Sequence, residues 1–523
     1  DLNDFNFKSG IQTTTLEKSE KVAHVELDNP QSTVLFALPG VLRNDKDKIA
    51  IRAASQIFGS GKFDTRLIKS IRVKKGLVYF IYNTFSNNDL QSVLIGTAKT
   101  QPENTSKVIE EVKAQCKQLY NDGITEEEFN EFKISKISSH VFKDTGEMLN
   151  FVVSRRNDGI ELNKINDLLD EYLSLNLDDI NRALKKVYNP DNLVFVSCGK
   201  TVNSSEKVEQ IAKPKQTVVK ISNEREHTIK TKEKVEEIND KIDIQEEILD
   251  NGLRVIVVPM TSTESVFFGV GYCVGDSDDP RDTVGISHFL EHIMFMQSEN
   301  LGKGEINKCL CRYNKSFNGW TTDDFTFYPH ECNKAFLDVN VKLEAERMSN
   351  LVFDEEEIES EKNVIIEERK MRVESHPRFR FASEAVLKAL YLYSNYSYPG
   401  IGYIDQIKAC NKKNIEEHYK KYYIPNNAFA IFVGNINKEE AVTLCRKYFG
   451  SIKKGPEIKR GQVHDPLNTG LTHKIQHVSN QLTSNFLDIY YKIPRSDLDS
   501  LKKEYCLNIG LNILCKGMSS ILY

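Results

Sequence analysis

Residues 285–295 constrain the fold most strongly, because they predict an apolar helix that carries three ionisable side chains. His288 and His292 are four residues apart, so both imidazoles project from one helical face, which Glu291 shares. The other positions are largely apolar, namely Ile286, Phe289, Leu290, Ile293, Met294 and Phe295. We expect such a helix to be buried, and burying the three polar groups without partners costs several kcal/mol. A bound metal ion removes that cost; the alternative is a solvated histidine pair that recurs by chance.

Two neutral imidazoles and one further ligand suit tetrahedral Zn²⁺, which keeps a fourth position for a water molecule. Glu291 beside that water can remove its proton and later return it to a leaving amine. The order His-x-x-Glu-His is known as the inverzincin motif. The sequence therefore predicts a zinc-dependent enzyme that hydrolyses peptide bonds.

A second helix is predicted over residues 354–372 and offers the third ligand. Asp354 is suited to the N-cap position, and acidic residues crowd the first turn. Glu361 and Glu368 are seven residues apart, so they lie on one stripe about two turns apart. A long acidic helix is most often a solvated face. Part of this helix is nevertheless apolar, at Val364, Ile365 and Ile366.

These spacings resemble the M16 metallopeptidases, the clan of pitrilysin, insulin-degrading enzyme and mitochondrial processing peptidase. Their signature is His-x-x-Glu-His followed well downstream by a glutamate ligand, and Glu368 lies 76 residues after His292. The resemblance implies three zinc ligands, His288, His292 and Glu368. It also implies that Glu291 is the general base and that Glu361 is a supporting acid that orients a ligand. Glu367 is the competing ligand candidate, but it points roughly 100° away from Glu368 around the helix.

The same resemblance indicates residues that contact the substrate. Residues 317–328 resemble the family's Asn-Ala-aromatic-Thr segment, with Asn318 in the first position, and we expect an edge strand beside the metal. Such an edge pairs with an extended peptide through its backbone. Residues 72–79 resemble the family's Arg-x₆-Tyr element, in which Arg72 clamps a substrate carbonyl and Tyr79 donates a hydrogen bond to the oxyanion. The alternative for residues 317–328 is an ordinary sheet strand. The alternatives for Arg72 and Tyr79 are a surface arginine and a packed tyrosine.

The order of the segments departs from the family's arrangement. Residues 1–200 resemble an M16 C-terminal-type domain with the Arg/Tyr pair, and residues 201–240 predict a polar linker. Residues 241–455 resemble the N-terminal-type domain with the zinc motif, and residues 456–523 resemble the start of a further, truncated C-terminal-type domain. The sequence begins at Asp1 without a methionine, and Tyr523 falls just short of where a second Arg/Tyr pair would stand. We therefore expect a fragment of a longer tandem; the alternative is a rearranged chain. Whether the Arg/Tyr pair serves this chain's own zinc site stays open at this stage.

We predict an α+β fold, because turn signals such as Asn251-Gly252 favour antiparallel strands and these alternate with long helices. The resemblance implies repeated domains of the LuxS/MPP-like type, each a mostly antiparallel sheet faced by helices. It also implies that such domains enclose a chamber, which admits short or unfolded peptides.

Composition excludes several other classes of protein. A net charge of −5 with interleaved signs argues against a nucleic-acid binder, and no apolar run approaches the length of a membrane helix. The ten cysteines form neither a disulfide framework nor a Cys-x-x-Cys zinc pattern. No signal peptide is visible, although a missing N-terminus would hide one. The compartment is therefore open, and we expect a bacterial protein of the periplasm or cytoplasm.

The leading interpretation is a zinc endopeptidase of unfolded or short peptides, with one Zn²⁺ at the His-x-x-Glu-His site. One alternative is a site-specific processing peptidase that needs a partner subunit. Another is a non-proteolytic M16-like scaffold, such as the core subunits of a respiratory complex, in which the ligands are typically lost. All four positions of the motif hold competent residues here, which disfavours the scaffold. The expected partner besides the peptide is another M16 half, in a homo- or hetero-oligomer.

Overall fold

The computed structural model describes residues 21–42, 45–87, 92–142, 145–157, 160, 162–200, 209–210, 242–260, 264–460, 465, 475–478, 482, 485–490 and 501–515. The chain separates into two compact units, Asp1–His376 with Pro399–Lys459 and Pro377–Tyr398 with Arg460–Tyr523. Most of the predicted linker lies outside the described residues, as does the end of the predicted third domain at residues 516–523.

The first unit contains two β-sheets, and the first of them has six strands. They are β1 (Lys21–Glu26), β2 (Ser32–Pro39), β3 (Val78–Asn87), β4 (Ser92–Thr100), β5 (Val194–Gly199) and β6 (Glu209–Gln210). Their order is β3-β4-β2-β5-β1-β6, and β1 runs parallel to both β5 and β6 while the other neighbours are antiparallel. Alternate residues of β2 are buried, as expected for a sheet with one face on a core.

Helices cover the buried face of this sheet. They are α1 (Lys48–Ser55), α2 (Thr105–Asp122), α3 (Glu126–Ser139), α4 (Thr145–Asn157), α5 (Leu168–Leu173) and α6 (Leu177–Ala183). Val34 and Phe36 of β2 share a continuous apolar core with residues of α1, α2 and α6. Between α1 and β3, residues Ile68–Lys74 form a π-helical segment that leads into the predicted Arg/Tyr element.

The second sheet has seven strands. They are β7 (Gln245–Ile248), β8 (Arg254–Pro259), β9 (Ser265–Tyr272), β10 (Ser316–Phe317), β11 (Trp320–Thr321), β12 (Thr326–Asn333) and β13 (Ala428–Gly434). The order is β10-β12-β9-β13-β8-β7, with β11 also paired to β12 and only β8 and β13 parallel. The turn of the predicted hairpin between β7 and β8 contains Gly252 at a φ of 90°.

The two sheets have the same strand order and directions once β6, β7 and β11 are set aside. In each, the first strand is parallel to the last, the last is antiparallel to the second, and the fourth lies between the second and the third. The chain therefore contains two copies of one α+β domain, which confirms the predicted fold class and the prediction of repeated domains.

The helices that accompany the second sheet are α7 (Ile286–Ile293), α8 (Glu305–Tyr313), α9 (Leu337–Ser349), α10 (Glu355–Arg369), α13 (Ile404–Ala409), α14 (Lys412–Tyr422) and α15 (Lys438–Phe449). The second compact unit contains α11 (Pro377–Phe381), α12 (Leu387–Leu390) and α16 (Leu501–Cys515). Of the helices in the described part of the chain, none is both long enough and apolar enough to span a bilayer. The nine cysteines described are free thiols.

Candidate metal centre

Helix α7 begins at Gly285, whose φ of 92° lies in the left-handed region that favours glycine. A Cβ atom there would lie 2.8 Å from the Cα atom of Gly402, so the position also requires close backbone approach. The carboxylate of Asp279 accepts hydrogen bonds from the backbone N–H groups of Gly285 at 2.7 Å and Ser287 at 3.2 Å. Burial raises the pKa of Asp279 to about 7, although these bonds act in the opposite direction. The start of the helix is thus fixed two residues before the first histidine.

Three side chains from α7 and α10 converge on one point. The ligand atoms of His288, His292 and Glu368 all lie within 4.8 Å of one another, and this is the one such group found among the described residues. Glu368 Oε2 lies 3.6 Å from His288 Nε2 and 3.2 Å from His292 Nε2. Glu368 is 1 % exposed and His292 is 8 % exposed. The group is therefore largely withdrawn from water.

The donor set fits a divalent cation such as Zn²⁺. Glu368 Oε2 is buried and has no hydrogen-bond donor among the described residues, although two imidazole nitrogens face it. Two imidazoles and a carboxylate are ligands that zinc takes in hydrolytic sites. A cation between these atoms would supply the direct partner that this buried carboxylate oxygen lacks.

The charges of the three side chains are strongly perturbed. Burial raises the pKa of Glu368, but His288, His292 and Arg372 outweigh it and hold that pKa well below its usual range. Burial lowers the pKa of His288. Burial acts likewise on His292, but the neighbouring carboxylates of Glu361 and Glu368 prevail and raise its pKa to about 10. Glu368 is accordingly ionised at neutral pH, as a metal ligand must be.

Glu361 and Glu367 have different neighbours although both lie on α10. His292 Nδ1 is 2.7 Å from Glu361 Oε1, which fixes the ring so that Nε2 faces Glu368. Glu367 Oε2 instead accepts a hydrogen bond from Gln31 Nε2 at 2.8 Å, and its Oε1 lies 3.1 Å from Lys370 Nζ. The structure therefore places Glu361 against a histidine of the group and Glu367 outside it.

Glu291 lies against the short strands at the edge of the second sheet. Its Oε2 accepts a hydrogen bond from Thr321 Oγ1 at 2.7 Å. A Cβ atom on Gly319 would lie 2.9 Å from Glu291 Cγ, so the turn between β10 and β11 approaches this side chain closely. Asn318 is in the same turn, where its backbone N–H donates to Pro329 O at 3.3 Å and its side chain is exposed. The predicted edge strand exists as the two short strands β10 and β11.

The first domain brings the predicted Arg/Tyr pair to the same place. Tyr79 Oη lies 3.2 Å from Arg372 Nη2, and Arg372 Nη2 lies 2.8 Å from Glu368 Oε1. The guanidinium carbon of Arg72 is 5.2 Å from the ring centroid of Tyr79 and 4.8 Å from that of Phe63. Burial and the nearby Glu368 raise the pKa of Tyr79 to about 12, so its hydroxyl keeps its proton at neutral pH.

Three residues of this region were not singled out from the sequence. Arg372 is four residues after Glu368 on a helical segment, a spacing that could have indicated the ion pair. Thr321 stands in the recognised edge segment, but no pattern shows that it meets Glu291. Gln31 lies 336 residues from Glu367 in the chain, and the sequence holds no signal for that contact.

Two protein-family models match this chain. The family model described as "Insulinase (Peptidase family M16)" matches residues 254–399, which contain the entire His-x-x-Glu-His motif and Glu368. The model described as "Peptidase M16 inactive domain" matches residues 5–135 and again residues 409–523. The chain belongs to the M16 peptidase family.

Curated relatives carry the name zinc protease. The zinc protease PqqE of Helicobacter pylori is 31 % identical over 281 residues, which cover 52 % of this chain and 61 % of the relative. The uncharacterized zinc protease YmxG of Bacillus subtilis is 26 % identical over 217 residues, or 41 % of this chain and 52 % of the relative. The chain thus spans little more than half the length of these relatives.

Solved structures also match. A protease from Helicobacter pylori is 31 % identical with a TM-score of 0.40, over 42 % of this chain and 53 % of that one. The periplasmic protease PqqL from Escherichia coli is 13 % identical with a TM-score of 0.36, over 85 % of this chain and 52 % of that one.

Proposed function

We propose that this protein is a zinc-dependent endopeptidase that hydrolyses short or unfolded peptides. The observation that carries the proposal is the convergence of His288, His292 and Glu368, with Glu291 on the same helix as the two histidines. The names of the relatives support a zinc peptidase class. The match to an inactive domain concerns residues 5–135 and 409–523, which lie outside the motif.

Zn²⁺ held by His288, His292 and Glu368 would polarise the scissile carbonyl and lower the pKa of a water molecule. Glu291 is proposed to transfer the proton. Its Oε2 is occupied by Thr321, which leaves Oε1 to take a proton from the attacking water and return it to the leaving amine. Glu361 fixes the ring of His292 through Nδ1, so the imidazole keeps its orientation during the reaction.

The surroundings of Glu291 suit an extended peptide. Among the described strands, β10 and β11 pair with β12 alone, so their outer edge can accept a further strand. Asn318 lies in the turn between them and is proposed to contact the substrate backbone. Tyr79 is proposed to donate its hydroxyl proton to the developing oxyanion, and Arg72 to clamp a carbonyl. In the structure Tyr79 bonds to Arg372, so this contact would loosen as substrate binds.

The proposal also includes three features of the whole protein. These are a chamber around the substrate, assembly with another M16 half, and a periplasmic or cytoplasmic location. Because the chain covers 61 % of one curated relative and 52 % of another, further M16 domains from the same or another chain are expected to complete the enzyme. A processing peptidase with a partner subunit would use the same residues.

Replacing Glu291 tests the proposed reaction. Glu291→Gln keeps the shape of the side chain but removes the proton acceptor, so hydrolysis should fall by at least about 100-fold while zinc stays bound. The assay is turnover of a quenched peptide by the full chain, with metal content measured in parallel. Glu417→Gln is the control, because it makes the same charge change at an exposed position of α14. Retained turnover in Glu291→Gln would remove Glu291 from the mechanism.

A further inference from the structure

The first domain contains a polar cavity of about 620 Å³ that includes none of the residues of the metal centre. It lies between the π-helical segment Ile68–Lys74 and helices α2 and α3, and Lys308 of α8 reaches its rim. Six basic and four acidic side chains line it, so it is positive although the whole protein has a net charge of −5.

Three of the four acidic residues already have basic partners. Glu128 forms two hydrogen bonds with Arg66 at 2.6 Å, Glu127 pairs with Lys308, and Glu131 pairs with Arg312. Those pairs account for two of the six basic residues of the lining. The lining therefore keeps an excess of positive charge, and four of its six basic residues form no ion pair with a described carboxylate.

Two of the remaining cations are largely buried and have no carboxylate partner among the described residues. Lys62 Nζ donates to the backbone oxygens of Cys311, at 2.9 Å, and of Asn314, and lies 3.2 Å from Ser135 Oγ. Lys136 Nζ lies over two aromatic rings, 4.5 Å from the centroid of Tyr172 and 5.5 Å from that of Phe132. Carbonyl oxygens and ring faces solvate an ammonium group but do not neutralise it.

The two lysines also repel each other. Burial and the positive charge of Lys62 together lower the pKa of Lys136 to about 8. Burial likewise lowers the pKa of Lys62, although Asp64, the fourth acid of the lining, partly offsets this. An anion between the two ammonium groups would relieve both the repulsion and the cost of burial.

The other residues that line the cavity indicate which class of anion would bind there. Lys69 and Lys74 are exposed at the cavity and form no ion pair with a described carboxylate, so up to four ammonium groups can contribute. The planar fork of Arg66, which would recognise a carboxylate side-on, is already taken by Glu128. Its Nη1 is buried and has no hydrogen-bond partner within the described part of the chain, and the hydroxyls of Ser60 and Thr65 also line the cavity. Ammonium groups from several directions suit a polyvalent tetrahedral anion better than a single carboxylate.

We infer that this cavity is a binding site for a small polyvalent phosphate compound, held by Lys62 and Lys136 and completed at the rim by Lys69 and Lys74. The site is separate from the metal centre, and its occupancy does not depend on the proposed peptidase activity. Ile68–Lys74 connects the two regions, because Lys69 and Lys74 line the cavity while Arg72 of the same segment contacts the ring of Tyr79.

Calorimetric titration of the full chain with inorganic tripolyphosphate at low ionic strength tests the inference. We expect saturable one-to-one binding, weakened at least about tenfold by Lys136→Gln, which corresponds to about 1.4 kcal/mol. Lys69→Gln at the exposed rim should weaken binding less, and it keeps the test informative if Lys136→Gln fails to fold. Lys420→Gln is the matched control, because it removes the same charge from an exposed position of α14.

Three results would overturn the inference. They are the absence of saturable binding to the unaltered chain, an equal loss of binding in Lys420→Gln, and equally tight binding of citrate. The last would show that charge alone is recognised and that phosphate chemistry is not. Because no peptide is hydrolysed in this experiment, its outcome is independent of whether the peptidase proposal holds.

Discussion

Glu361 and Glu367 show how two similar carboxylates of one helix acquire different roles. Glu361 is 2.7 Å from Nδ1 of His292, whereas Glu367 bonds to Gln31 of the first domain. The helical period predicts that Glu361 and Glu368 share a face and that Glu367 does not, and the structure agrees. The helical period does not predict the hydrogen bond between Gln31 and Glu367, because the two residues are 336 positions apart in the sequence.

We predict that Glu361→Gln lowers zinc affinity by about 10- to 100-fold, because the ring of His292 loses its charged acceptor. Glu367→Gln makes the same change one position before the proposed ligand Glu368 and should alter zinc affinity by less than about threefold. Competition of the full chain with a chelating dye measures both values. Equal losses in the two variants would mean that any charge removed from α10 weakens the site, and that Glu361 has no specific role.

On the scale of single elements, helices and strands with strong local signals were the most predictable. Asp354 caps α10 as predicted, since its Oδ1 accepts the backbone N–H of Glu357 at 3.0 Å. The Asn251-Gly252 turn signal likewise lies between antiparallel strands, β7 and β8. The edge segment was less predictable, because Gly319 divides it into two short strands that fit around Glu291. That division follows from a contact between elements, which no local pattern records.

The start of α7 provides a test at this scale. Gly285 and Gly304 both precede helices with φ values in the left-handed region, at 92° and 78°. An added Cβ would lie 2.8 Å from Gly402 at the first position, whereas it would meet nothing within 4 Å at the second. Gly304→Ala should therefore cost about 1–2 kcal/mol from backbone strain alone. Gly285→Ala should cost about 1–3 kcal/mol more, because the backbone at Gly402 must move.

Urea unfolding of the two variants and the unaltered chain measures these costs. Gly285→Ala should also weaken zinc binding, because the displaced helix carries both histidines, and Gly304→Ala should leave zinc binding unchanged. Equal destabilisation by both substitutions would show that close approach to Gly402 does not fix the start of α7.

At the scale of the whole molecule, the sequence left open whether the Arg/Tyr pair serves this chain's own zinc site, because the domains are in an unusual order. The Arg/Tyr element precedes the metal-binding domain, the reverse of the family's usual order. In the structure Tyr79 nevertheless reaches Arg372, which pairs with Glu368 of the same chain. Sequence spacing could not settle this, because contacts between two domains depend on surface complementarity rather than on local pattern. The two sheets repeat one strand order. This repetition was predictable only through the family resemblance, because the local sequence pattern of a strand does not determine which other strand it pairs with.

If Tyr79 serves this chain's own site, Tyr79→Phe should lower kcat by about 100-fold and leave zinc content unchanged, as expected for loss of an oxyanion donor. Tyr82→Phe is the control, because Tyr82 lies on the same strand β3 and is 48 % exposed. Steady-state kinetics on a quenched peptide gives kcat and KM separately. Unchanged kcat in Tyr79→Phe would assign the pair to another site.

The most direct test of the metal centre is the zinc content of the purified full chain, measured by mass spectrometry of the metal after dialysis. We predict one zinc ion per chain for the unaltered protein and for Glu291→Gln, and less than about one tenth of that for Glu368→Ala, because two imidazoles alone hold zinc weakly. Circular dichroism confirms that the variants are folded. A zinc-free protein that cannot be reloaded, or full zinc content in Glu368→Ala, would contradict the assignment of His288, His292 and Glu368 as the metal ligands.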